Sequence, residues 1–486
     1  MKISWVENRA AAWIAVPALG AAVLLGAAWL RGAEYDESYT IFLAMGTARP
    51  VWPEGVFTVA EAWGRLAGHS SLAGIAADLR GTDVHPPLYF WISALWRAGM
   101  GTSLFATRML SVLCGVVALA LVGGIARQVR APAIPAMLLT LGCYGFVYTG
   151  AIARGFALAQ LLTLAGLWVV LAARNWRGGL AGGTLLGMAC LANYLAAFVG
   201  GALLLWAILT RWRVGIAALA GFATVLPAVL WFFLAQRASR VGQFPPFELV
   251  PALARLGQYA AANVFGGLPL YAGAARSWVA GALALGLIAL AALAIRRWWR
   301  RPYGGLLGLC VLAPPLGLLG LGVVFDNTPI ELRYLAFATP CIGLLLAGAV
   351  PRPVLALVLA VQAASIAGLM TRSETMQPHA AATRAAASLA GPTGLVLVPR
   401  GNDGAGLIGA ALASAPMDMR MMLIISGQAL PAAARAYPHA VLLLLQPDAE
   451  SRATVAAMRV AFAADPCWRE TASTANLRAY EHICRE

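Results

Sequence analysis

Apolar runs of roughly 18 to 22 residues, separated by short arginine-bearing turns, recur along this chain, and that length is what a helix needs to cross the hydrocarbon core of a bilayer. Of its 486 residues, 61% are hydrophobic and only 11% are charged. A soluble globular chain carries about 25% charged residues. So small a polar fraction cannot coat a chain of this length in water, and the fold class it implies is an all-α polytopic membrane domain. The net charge is +15 and nearly all arginine, Lys2 being the sole lysine. A cluster such as residues 296–301 could serve nucleic acid. The better reading is a cytoplasmic anchor between apolar spans.

The basic loops fix an expected topology. They lie at 127–130, 174–177, 211–213, 296–301 and 351–353, and all are expected on the cytoplasmic side. Each successive pair leaves room for two helices. The outer turns then fall near 150–154, 193–194, 236–277 and 325–334. The first span, about 10–30, follows Lys2 and Arg9 and lacks a convincing cleavage site, so it reads as a retained anchor. Residues 85–101 are short for a span and end near Arg97. Counting them as one would turn every arginine cluster outward, so they read as an interfacial or re-entrant helix. About eleven spans result, or up to about thirteen at most, with the N-terminus inside and the C-terminus outside.

Three regions follow. Residues 1–372 form the membrane domain, with 31–84 as its first outer loop and short surface helices expected near 59–66 and 72–79. Residues 373–394 are a linker or amphipathic helix. Residues 395–486 alternate short apolar runs (from 395, 419 and 440, then around 467 and 477–482) with helical stretches near 406–413 and 449–464. Such alternation predicts a small extracytoplasmic α/β domain with a partly parallel sheet. Five cysteines (114, 143, 190, 310 and 341) fall in apolar spans, where a lone thiol packs as a small hydrophobe. Cys467 and Cys484 share the last domain. Outside the cytoplasm they are expected to pair, contributing about 3 kcal/mol; two buried thiols are the alternative.

Four polar patches are expected on the outer face. Asp36 and Glu37 sit side by side just after the first span, where charge is costly unless used, although a solvated helix end is the bland reading. Asp83-Val84-His85-Pro86-Pro87 enforces an extended turn before a helix, or simply caps one. Arg154 stands alone at the outer end of a span, against the charge bias of the rest. Asp326, Glu331, Arg333 and Tyr334 form the fourth patch, where a Glu331–Arg333 ion pair is the plain alternative. Arginine holds phosphate in a planar fork and stays charged when desolvated. A carboxylate can act as general base toward a hydroxyl. Together these point to group transfer from a lipid phosphate.

Other motifs lead nowhere. Residues 404–409 fit G-x-G-x-x-G after a strand, but the next strand ends in Ser426-Gly427 with no acidic residue to hold a ribose. The five histidines show no metal-ligand spacing, and there is no P-loop, G-x-S-x-G or H-E-x-x-H.

The order of motifs resembles the GT-C superfamily of polyprenyl-phosphate-sugar-dependent glycosyltransferases, in the branch of the protein O-mannosyltransferases and aminoarabinose transferases. Asp36-Glu37 with Tyr39, the His85-to-Tyr89 segment, Arg154-Gly155-Phe156-Ala157-Leu158, and Arg333-Tyr334 before Pro340 match that family's sequence of motifs over about residues 1–370. Two departures stand out: Gly150 and Ala151 replace a second arginine, and Phe156 replaces a tyrosine. The resemblance implies a bacterial inner-membrane enzyme that moves a sugar from a polyprenyl-phosphate donor to an acceptor hydroxyl on a glycan, lipid or protein, with inversion and no cofactor, although two carboxylates could hold a divalent metal. It assigns Asp36 as base with Glu37 beside it and Arg154, Arg333 and His85 to the donor phosphate; Tyr39, Asp83, Tyr89, Tyr194 and Tyr334 are expected to line the substrate pocket. A transporter of a lipid-linked substrate is the second reading, against which no internal repeat is visible. A non-catalytic assembly factor is the third.

Overall fold

The computed structural model describes residues 7–484 apart from 48–49, 67, 237–243, 373–377, 402–403, 426–429 and 446–447, with the backbone alone for 7–11 and 378. Lys2, the start of the expected linker and Ser426-Gly427 lie outside the described residues. The chain folds as two compact units, Met1–Leu30 with Leu79–Thr371, and Arg31–Asp78 with Arg372–Glu486.

Among the described residues of the first unit, seven helices are long and apolar enough to cross a membrane, from Ala12–Leu30 and Leu104–Gln128 to Leu332–Ala349 and Arg352–Thr371. An eighth span results if Ala133–Gly142 and Tyr144–Gly150, bent by 69° at Cys143, are taken together. The difference from the expected eleven lies in Phe156–Ala172, Trp176–Ala192 and Ala196–Thr210. These have only 17, 17 and 15 residues, short of the roughly 20 a full crossing takes. Trp176–Ala192 packs closely on Trp212–Ala235. Any side chain at Gly183 would strike the Ala218 carbonyl, and one at Gly221 the Leu180 carbonyl. Small residues one turn apart let helix backbones meet where lipid offers no hydrophobic drive.

The break at Cys143 is possible because its surroundings are polar enough to accept it. Away from water an unpaired peptide group costs several kcal/mol. Gln362, 1% exposed, reaches across from Arg352–Thr371 to the Leu139 carbonyl at 3.4 Å and the Val264 carbonyl at 2.9 Å. Ser365 donates to the Phe265 carbonyl. These side chains serve the bend and the C-terminal end of Leu249–Phe265, whose last carbonyls have no partner within the helix.

The second unit holds a six-stranded sheet of β1 (Val56–Thr58), β2 (Leu395–Pro399), β3 (Arg420–Ile424), β4 (His439–Leu443), β5 (Trp468–Ser473) and β6 (Leu477–His482) in the order β1-β3-β2-β4-β6-β5. Its centre, β3-β2-β4, is parallel, and the edge pairings are antiparallel. All five residues of β2 are buried, as expected of a strand covered on both faces. Five strands and the helices Gly406–Leu412 and Ala449–Ala464 stand where the hydrophobic pattern puts them. The sixth was not foreseen: β1 comes from the segment after the first span and pairs Val56 with Met422 and Thr58 with Arg420. Three residues carry too little pattern to announce a strand. Phe462 stacks on Tyr480 at 3.9 Å and meets Trp468 edge-on, filling the core beneath β5 and β6.

Cys467 and Cys484 are bonded, with Cα atoms 4.9 Å apart, and the five remaining cysteines are free and buried. Thiol labelling of the folded protein is therefore expected to be silent until a reductant is added, and then to modify Cys467 and Cys484. Labelling of either cysteine before reduction would contradict the pairing.

Candidate active site

In the first unit Asp83, His85 and Arg154 come together. Asp83 and His85 lie in the non-helical turn 83–87, and Pro86 and Pro87 commit the chain to extended entry before the helix Leu88–Met100. Arg154 stands in the bend between Tyr144–Gly150 and Phe156–Ala172. Here Gly155 lets that bend press on the helices Leu88–Met100 and Trp176–Ala192, since a Cβ there would lie 3.3 Å from the Tyr89 Cβ and strike the Ala192 carbonyl.

His85 Nδ1 lies 2.8 Å from Asp83 Oδ1, and Arg154 Nη2 lies 3.0 and 3.1 Å from the two ring nitrogens of His85. Burial would raise the Asp83 carboxyl. The charge and hydrogen bond of His85, the Arg154 guanidinium and the Val84 amide outweigh it and hold the group well below the usual carboxylate range. Arg154 is 2% exposed, and its Cζ lies 5.6 Å over the Phe90 ring. Its Nε and Nη1 find no hydrogen-bond partner among the described residues. A buried guanidinium with unspent donors is costly, and its fork suits a phosphate or carboxylate.

Arg333 and Tyr334 sit on a 3-10 helix, Leu332–Ala338, in the same unit. Tyr334 stacks on Phe156 with ring centroids 6.3 Å apart. Two buried amides hold this helix by its carbonyls. Gln160 donates to the Ala336 carbonyl at 2.8 Å and to Thr339 Oγ1 at 3.2 Å, and Asn263 donates to the Leu335 carbonyl at 3.2 Å. Sequence reading missed both residues. A glutamine within an apolar run such as Phe-Ala-Leu-Ala-Gln-Leu-Leu was the available signal, because polar residues in a span are rarely idle.

Gln236 was missed as well. It is fully buried, and its Nε2 donates to the Leu79 carbonyl at 2.9 Å and to the His85 carbonyl at 2.8 Å, while Tyr194 donates its hydroxyl to Oε1 at 2.9 Å. This places the expected pocket residue Tyr194 behind the His85 turn, supporting its backbone. Tyr89 is likewise buried, with its hydroxyl 3.1 Å from Ser111 Oγ.

The remaining expected residues lie in the second unit. Asp36, Glu37 and Tyr39 belong to the helix Tyr35–Ala44. Glu37 is wholly buried and its Oε2 accepts from the Glu34 amide at 2.9 Å, one half of a capping box. Glu34 also pairs with Arg31 at 3.2 Å. Asp36 is half-buried in the first turn, and Tyr39 leans on Tyr35 with ring centroids 6.1 Å apart. Among the described residues no three His, Cys, Asp or Glu side chains are grouped as metal ligands.

Replacing Gln236 with leucine removes the Nε2 donor that the Leu79 and His85 carbonyls share, at about 1–3 kcal/mol. The expected result is at least tenfold faster amide exchange across residues 83–85 of the folded variant. Unchanged exchange would show that the turn holds itself. The lowered folded value of Asp83 means that its contribution is present above its ordinary pKa near 4 and is lost only as pH falls through the lowered value. Asp83→Asn should therefore cost the same folding stability at pH 5 and pH 8, measured by thermal unfolding in lipid discs. A smaller loss at pH 5 would show that burial wins and that the carboxyl titrates high.

Residues 84–235 match the profile of the family described as dolichyl-phosphate-mannose-protein mannosyltransferase. No curated protein matches the sequence. Among solved structures, ArnT from Cupriavidus metallidurans bound to undecaprenyl phosphate is 14% identical, with 99% of each chain covered and a TM-score of 0.50. The apo state of the same protein is 14% identical over 97% of this chain and 98% of that one, with a TM-score of 0.51. The S. cerevisiae protein O-mannosyltransferase Pmt1-Pmt2 complex bound to the sugar donor is 17% identical over 47% of this chain and 32% of that one, at a TM-score of 0.31. The chain is thus similar to the GT-C glycosyltransferases, through its sequence over residues 84–235 and through an ArnT-like fold over nearly its whole length.

Proposed function

We propose that this protein is an inverting membrane glycosyltransferase that moves a sugar from a polyprenyl-phosphate donor to an acceptor hydroxyl at the periplasmic face of the bacterial inner membrane. The observation that carries the reading is the buried Arg154 fork, held against His85 with Nε and Nη1 unspent among the described residues. Two N–H donors and a fixed positive charge, shielded from water, are what a lipid phosphate requires of a protein. As the bond from phosphate to the anomeric carbon breaks, the leaving oxygen gains negative charge, so this contact strengthens on the way to the transition state. Arg333 supplies a second cation to the same phosphate. Asp36 takes the proton of the acceptor hydroxyl while that oxygen attacks the anomeric carbon from the opposite face, giving inversion in one displacement. Glu37, tied to the Glu34 amide, fixes the first turn of the helix that carries Asp36.

The test is to present purified protein in lipid discs with a panel of polyprenyl-phosphate sugars and to measure released polyprenyl phosphate. Wild type is expected to consume one donor. Arg154→Ala should weaken polyprenyl-phosphate binding at least tenfold, consistent with loss of about 1.5–3 kcal/mol for a charged hydrogen bond. Asp36→Asn should keep that affinity and lose roughly 100-fold or more in turnover. Full turnover by a folded Asp36→Asn variant sinks the base assignment. Movement of intact donor between leaflets without release would favour the transport reading.

A further inference from the structure

The G-x-G-x-x-G segment at 404–409, which reads as a failed dinucleotide motif, has a visible occupant within the second unit. The helix Tyr35–Ala44 lies on the helix Gly406–Leu412, and the glycines mark where they touch. A Cβ at Gly406 would come within 2.6 Å of the Tyr35 ring. One at Gly409 would come within 2.6 Å of both Cβ and Oγ of Ser38, and 2.7 Å from Phe42 Cζ. Tyr35, Ser38 and Phe42 follow the i, i+3, i+4 rule of one helix face. Asp36 and Glu37 fall between them on the same two turns.

Polar bonds fix the register as well as the distance. Ser38 donates its hydroxyl to the Gly406 carbonyl at 3.3 Å, and Trp52 Nε1 donates to the Gly404 carbonyl at 2.6 Å. Trp52 in turn meets Phe42 edge-on at 5.6 Å. Four residues further on, β1 joins β3. Both ends of the segment carrying the carboxylates are therefore fastened to elements contributed by the last 115 residues.

From this we infer that the glycine segment is the seat that sets the position of the Asp36 helix. Gly406 and Gly409 are positioning residues for the carboxylate, and the C-terminal sheet is part of the catalytic apparatus without touching substrate. The inference deepens the proposed function and rests on its assignment of Asp36 as the base. A closely seated helix presents its first turn within a fraction of an ångström. A methyl group inserted at Gly409 pushes the helix off its register, and a misplacement of about 1 Å can cost 100-fold in rate.

The test uses the full chain in lipid discs. In Gly409→Ala the amides of residues 41–45 should exchange with deuterium at least tenfold faster, while those of β2 and β4 keep their protection. Gly409→Ala paired with Ser38→Gly returns the space and should restore slow exchange. On whichever polyprenyl-phosphate sugar the wild type consumes, Gly409→Ala should lower kcat at least tenfold, leave the affinity for free polyprenyl phosphate unchanged, and recover turnover in the paired variant. Unaltered exchange in both Gly409→Ala and the bulkier Gly406→Val would overturn the seat whether or not a donor has been found. Full turnover in these variants, with Asp36→Asn dead, would overturn the positioning role and leave the proposed function standing. Full turnover in Asp36→Asn would instead remove the base assignment, and with it the positioning role, and leave the seat to the exchange result.

Discussion

A peptide group in the interior of a membrane protein has no water to fall back on, and every departure from helix must find its hydrogen bonds inside the chain. The membrane-type unit of this protein departs from helix at the bend of Cys143, in the turn that carries Asp83 and His85, and in the 3-10 helix that carries Arg333. Each departure is met by a buried carboxamide. Gln362 answers the bend, Gln236 the His85 turn, and Gln160 with Asn263 the 3-10 helix. An amide side chain suits this task because it donates two hydrogens without carrying a charge that would itself need solvation. Two of these segments, the His85 turn and the 3-10 helix of Arg333, hold candidate phosphate ligands. Gln236, Gln160 and Asn263 therefore stabilise the fold and support residues of the candidate site.

Charge follows a similar logic. Arg154 is 2% exposed, yet its nearest polar neighbour is a histidine and not a carboxylate. A bonded carboxylate would quench the cation and remove its use. His85 instead stands between Arg154 and Asp83, so the acid orients the ring while the guanidinium keeps two donor positions for another partner. In the proposed function the anionic substrate group relieves the cost of leaving those donors inside a poorly solvated unit.

In the other unit the controlling factor is close approach. Helix Tyr35–Ala44 is short, and ten residues do not hold a helix in water unaided. Its order comes from the capping box of Glu34 and Glu37 and from the glycine surface beneath Ser38 and Phe42. The three-residue β1 has the same dependence, being a strand only because β3 offers an edge. Pieces far apart in sequence, the helix Tyr35–Ala44 with β1 and the helix Gly406–Leu412 with β3, thus form one structure.

Much was legible from residue order. Periodicity and run length are local properties, so the long spans, the strands at 395, 420 and 439 and the helix at 449–464 could be read without knowing their neighbours. The motif residues His85, Arg154 and Arg333 could be picked out because an arginine or histidine beside an apolar run is expensive and conspicuous. Tertiary structure decided what depends on contact between distant residues. It brought Asp83, His85 and Arg154 together, set the Tyr194 hydroxyl on Gln236, and tied Glu37 to the Glu34 amide. It also determined that three residues near 57 are a strand and that the glycines at 406 and 409 are a seat for a helix. A glycine written in sequence states only that a side chain is absent; the fold alone determines which neighbour fills that space.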